Sequence, residues 1–163
     1  MASFKAYARR ETAIGVVINL AIGSAFFFGV FGGQAAPAVW GAKGLIVDCL
    51  PQGFMIGLMS IIPAMLITTK RAKSGLSFED LPANKTFLPR NIFLRGLATA
   101  VLSLIGLVAV AAGLAAATGV QNLPFWVAFG LKSLPALVIS SLVIPPALAV
   151  AFHNARAVQP VTA

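Results

Sequence analysis

Four long apolar runs, separated by short polar connections, make up most of the chain: Ala13 to Phe31, Leu45 to Thr69, Ile92 to Ala117 and Phe125 to Phe152. Each reaches or exceeds the ~20 apolar residues with which an α-helix crosses a ~30 Å hydrocarbon core. A bilayer core offers no water to free backbone groups, so runs of this length predict helices. The pattern therefore predicts an all-α fold, a four-helix transmembrane bundle. It divides into one hairpin over about 10–70, a polar loop over 71–91, and a second hairpin over about 92–153. The whole of 1–163 reads as a single integral membrane domain.

Composition agrees with this picture. The chain is 59% hydrophobic and only 10% charged, against ~25% charged residues in a typical soluble domain. Its net charge of +8 would suggest acidic partners in a soluble protein. Here, however, the positive residues flank apolar segments, with no interleaved aromatics that would make a nucleic-acid surface. Lys5, Arg9, Arg10, Lys70, Arg71, Lys73, Lys85, Arg90, Arg95 and Arg156 fall on one side of the four runs, and only Lys43 and Lys132 on the other. Positive residues in short loops stay on the cytoplasmic side, which predicts both termini and the central loop there and a multi-pass protein of the bacterial inner membrane. The first run imitates a signal peptide but is about 19 residues long, beyond the ~7–15 of such an apolar region, and reads as a retained helix. The lone Cys49 excludes an intramolecular disulfide.

The two hairpins look alike. Leu50-Pro51 and Pro63-Ala64 in the second run match Leu134-Pro135 and Pro146-Ala147 in the fourth, at offsets of 84 and 83 residues. An even number of helices per copy makes these parallel repeats, entering the membrane the same way up. The offset also lays Lys132 over Asp48, both near the outer ends of returning helices. They are candidates for an ion pair joining the hairpins, since pairing offsets the cost of a charge in the membrane. The bland alternative is that each reaches separately to the outer water.

Few polar residues lie deeper: Asn19, Ser24, Ser60, Ser103, Ser140 and Ser141. Serines bond back to their own helix, but an amide at Asn19 needs another helix or a wet cavity. Asn19, Ser60, Ser140 and Ser141 are thus candidates for helix packing or for lining a solute path between the hairpins. Small-residue stripes at Gly15 and Gly23, Gly53 and Gly57, and Ala109 and Gly113 predict close helix approach. Pro63 and the Pro145-Pro146 pair are expected to open or kink their helices. Catalysis has little to work with. His153 and Glu11 sit at the cytoplasmic ends of helices and Glu79 with Asp80 in the loop, with no metal-ligand spacing and no phosphate loop. No ionisable residue lies near the bilayer midplane, which counts against an ion-coupled carrier.

Arg9-Arg10-Glu11-Thr12-Ala13-Ile14-Gly15-Val16-Val17-Ile18-Asn19, the Phe26 to Phe28 run ending in Val30-Phe31-Gly32-Gly33, and Trp40 followed by Asp48-Cys49-Leu50-Pro51-Gln52-Gly53-Phe54-Met55 resemble small inner-membrane proteins of alphaproteobacteria. Those are built from a two-helix hairpin of unknown function and are sometimes labelled permeases. The resemblance covers both hairpins and is sharper in the first; the second departs with Lys132 in place of Asp48. It implies location and architecture and supplies no catalytic residues.

These features point to a non-enzymatic assembly or accessory subunit without metal or cofactor. Its expected partners are membrane lipid and either further copies of itself or a larger membrane complex, with no nucleic acid. The alternatives are a small permease and, more weakly, an enzyme acting on lipid through His153 and Glu11.

Overall fold

A computed structural model describes residues 3–83 and 86–158. Lys85, one of the basic loop residues, lies outside them. The chain folds into α1 (Phe4–Phe31), α2 (Leu45–Lys73), α3 (Ile92–Thr118) and α4 (Phe125–Val158). All four are long and apolar enough to cross a membrane, making this a multi-pass membrane protein. Among the described residues the extended pairing is a single bridge between Ala38 and Asn122.

The helix ends follow local chemistry that hydropathy alone does not register. The α1 helix begins nine residues before its apolar run, because Ser3 accepts from the Lys5 N–H and Asp80 accepts from the Phe4 N–H at 2.7 Å. Phe4 and Tyr7 then bury against Phe78 and Phe152, with ring centroids 5.0–6.2 Å apart. Asn91 caps α3 by accepting from the Phe93 and Leu94 N–H groups. At its other end Gly119 turns the chain at φ 66°, a left-handed conformation that side chains disfavour.

Both α2 and α4 run uninterrupted through their prolines, Pro51 and Pro63 in one and Pro135, Pro145 and Pro146 in the other. The expected opening at Pro63 and Pro145-Pro146 is therefore not a break in either helix. Each proline removes one backbone bond, and neighbouring helices tolerate this in a membrane.

Packing crosses between the hairpins. The α2 helix lies against both α3 and α4, and α1 lies against α4, whereas α1 touches α2 little and α3 touches α4 least. The α2–α3 contact is backbone on backbone. A Cβ on Gly57 would sit 2.5 Å from the Ala100 Cα, and one on Gly53 2.7 Å from the Leu104 Cα. At the end away from the basic residues, the two connecting segments are knitted together. Val39 N–H donates to Gln121 O at 2.8 Å, Leu123 N–H to Pro37 O at 3.1 Å, and Trp40 Nε1 to Val120 O at 3.1 Å.

Candidate functional site

Polar side chains inside the bundle gather at three depths. Near the middle of their helices, Asn19 of α1, Ser60 of α2 and Ser140 of α4 meet at one point. Asn19 Nδ2 donates to Ser60 Oγ and to Ser140 Oγ, both at 2.9 Å, and the two hydroxyls lie 3.0 Å apart. Both serines are fully buried and Asn19 nearly so. A buried amide without partners is costly in hydrocarbon, so this closed triangle ties three helices at a fixed register. Beside Asn19 a cleft bounded by Gly23, Ser24, Gln52 and Ser133 has a volume of only about 10 Å³, space for about one water. Ser141, one residue along α4, points out of the bundle and takes no part, a correction to its expected place in the lining. A step of one residue turns a helix face by ~100°, which carries Ser141 away from the neighbouring helices.

Toward the far end, Lys132 Nζ of α4 stands 2.6 Å from Asp48 Oδ2 of α2. The Lys132 side chain is 9% exposed and Asp48 23%, so the pair is mostly inside the protein rather than at the water. Around it, Cys49 Sγ lies 3.7 Å from Lys132 Nζ, and Gln52 Nε2 donates to the Lys132 carbonyl. Gln52 uses its donor this way and leaves Oε1 buried with no partner among the described residues.

At the basic end, Glu11 of α1 accepts from Arg71 Nη1 of α2 at 2.6 Å, Arg71 Nη1 also approaches Tyr7 Oη, and Tyr7 Oη lies 2.8 Å from Thr68 Oγ1. Glu11 thus finds its cation on α2, in Arg71, and not in the neighbouring Arg9 or Arg10. His153 Nε2 is 2.9 Å from the Pro82 carbonyl, so His153 and Glu11 serve separate contacts, one to the loop and one to α2. Arg95 is buried on α3, donating to Pro89 O at 3.2 Å and Thr86 Oγ1 at 2.9 Å, with no carboxylate bonded to it among the described residues. Arg71, Tyr7, Thr68 and Gln52 escape the sequence reading because their partners lie about 60–80 positions away and no spacing signals them. No group of three or more His, Cys, Asp or Glu side chains among the described residues is placed to hold a metal ion.

The small-residue stripes divide. A Cβ on Gly15 would lie 2.5 Å from the Ile144 Cδ1, and Gly53 and Gly57 seat α3 as described. By contrast Gly23 and Gly113 have nothing within 4 Å of a Cβ, and Ala109 is exposed. Ala109 and Gly113 therefore pack no helix among the described residues, because α3 turns that face outward; the spacing itself does not say whether a partner lies in the same chain. Beside it, where α3 and α4 diverge, an apolar groove of about 970 Å³ opens toward the membrane.

Comparisons of the chain with protein-family models, with curated proteins and with solved structures return no match.

Proposed function

We propose that the protein is a non-enzymatic membrane subunit that works through helix association in the bacterial inner membrane. Its basic end is cytoplasmic, since Lys and Arg in short loops are retained on that side. The observation that carries the reading is the triangle of Asn19, Ser60 and Ser140, in which the Asn19 amide donates to both serine hydroxyls and these bond each other, beside space for about one water. A solute path between the hairpins would pass at this point and would need polar groups facing a cavity. The larger opening is apolar and faces the bilayer instead. The reciprocal packing of α1 on α4 and α3 on α2 suits a duplicated hairpin turned about a pseudo-two-fold axis, and the resemblance to two-helix inner-membrane proteins suits the same architecture.

The test is reconstitution of the full chain into sealed vesicles, with flux measured for a panel of ions, sugars and amino acids. No flux above empty vesicles is expected. Flux of any solute that Asn19→Leu abolishes would overturn the reading in favour of a permease.

A further inference from the structure

Asn19 keeps one side of its amide unserved. The nitrogen donates to Ser60 and Ser140, but Oδ1 accepts from no group among the described residues. The side chain is 4% exposed, deep enough that an amide oxygen without a donor costs stability. Three other unpartnered oxygens of the bundle, Thr12 Oγ1, Gln52 Oε1 and Thr99 Oγ1, are sealed by protein on every side. Asn19 Oδ1 is not sealed in this way, and the cleft that Asn19 lines lies beside it.

That cleft has the size and the chemistry of a water site. Its volume of about 10 Å³ admits one water and no larger solute. A buried water needs about two to four polar partners. Besides the Asn19 oxygen, Ser24 of α1 and Ser133 of α4 bring hydroxyls to the walls. The Ser133 hydroxyl donates to Phe129 O at 2.8 Å, so its own oxygen stays free to accept. A water both donates and accepts, which suits an amide oxygen and hydroxyls together. A metal ion is disfavoured, because the wall carries Lys132 and no carboxylate.

The space is made by Gly23, one helical turn along α1 from Asn19. It lines the cleft, and a Cβ there would meet nothing within 4 Å. No neighbouring helix therefore demands glycine at this position, and alanine would favour the helix. Toward the basic end Ile144 closes over Gly15, with its Cδ1 2.5 Å from where a Cβ would lie.

We propose that the cleft binds a single water that donates to Asn19 Oδ1 and bonds the serine hydroxyls of the wall, joining α1 to α4 beside the triangle. The missing Cβ of Gly23 admits it. The water is independent of whether the protein conducts a solute.

The test is a cycle of variants of the full chain, unfolded by denaturant in mixed micelles. Gly23→Ala puts a methyl group in the place of the water. It should raise the unfolding equilibrium constant roughly fivefold to a hundredfold, the loss for leaving one buried acceptor unserved. In an Asn19→Leu background, with no oxygen to serve, Gly23→Ala should cost nothing. Gly29→Ala, exposed on the same helix with open space around it, should not destabilise and controls for helix preference. A high-resolution structure of the unaltered chain in lipid should show one water within hydrogen-bond distance of Asn19 Oδ1, and it decides the matter if Asn19→Leu does not fold. Gly23→Ala as stable as the unaltered chain, a cost undiminished beside Asn19→Leu, a dry cleft, or stability that follows sodium concentration and so marks a cation would each overturn the proposal.

Discussion

Lys132 on α4 and Asp48 on α2 form an ion pair at 2.6 Å, across the contact between the two hairpins and mostly within the protein. A charge left alone at such a site must be dehydrated without compensation. Lys132→Met should therefore destabilise the protein, by less than the ~3–5 kcal/mol of a fully buried broken pair because Asp48 keeps some exposure. The exchange Asp48→Lys with Lys132→Asp should recover most of the loss. Thermal unfolding in mild detergent measures both, and no recovery in the exchange would show that the pair adds nothing to stability.

Gly57 lies against the α3 backbone with no room for a side chain. Gly57→Ala should cost ~1–3 kcal/mol, the range for overpacking a tight contact, and Gly57→Leu should separate α2 from α3. Gly113→Ala, with open space around it, should leave the folded monomer unchanged within ~0.5 kcal/mol. Equal effects at the two glycines would contradict the close α2–α3 approach.

Asn19→Leu removes two interhelical hydrogen bonds and leaves the Ser60–Ser140 bond in place. At ~0.6–2 kcal/mol for each interhelical bond, the expected loss is about 1–4 kcal/mol. Ser141→Ala, on the outer face, should be neutral. Unfolding curves of the two variants side by side separate a structural triangle from a general dependence on membrane serines.

Asp80 anchors the start of α1, and its bonds from the Phe4 N–H and then the Ser3 hydroxyl hold its carboxyl below the usual carboxylate range. A lowered folded pKa gives stabilisation that is complete above the unfolded value, ~3.9, and is lost as pH falls through the still lower folded value. Tryptic cleavage after Lys5 at neutral pH should accelerate in Asp80→Ala. Amide exchange at Phe4 should stay flat from pH 7 to 5, after correction for its intrinsic pH dependence, and lose protection only in more acid solution. A loss of protection already complete near pH 5 would rule out the carboxylate as the anchor.

The spans were legible because hydrocarbon selects for length and apolarity, and both can be counted. Asn19 stood out since an amide in lipid needs a partner, and Asp48 with Lys132 because the two hairpins align. What stayed hidden was everything decided by helix rotation and by neighbours distant in the chain. Ser140 and Ser141 are equivalent as text but face opposite surroundings. The Gly53–Gly57 and Ala109–Gly113 stripes share a spacing, yet only the first meets another helix inside the chain, since spacing says nothing about which element lies opposite. The early start of α1 depends on Phe78 and Asp80, loop residues to which no helical period refers. Glu11 reads as the partner of the arginines beside it until folding brings Arg71 closer.

The stitching of Val39 to Gln121 and of Trp40 to Val120 has a mechanical consequence. It pins the halves of the molecule together at the face opposite the positive charges, so neither half can slide past the other there. Any relative motion must swing about that clasp like the arms of forceps, with the greatest displacement where Phe4 and Tyr7 of α1 meet Phe152 of α4, and that contact is the natural place to watch for movement when a neighbour docks.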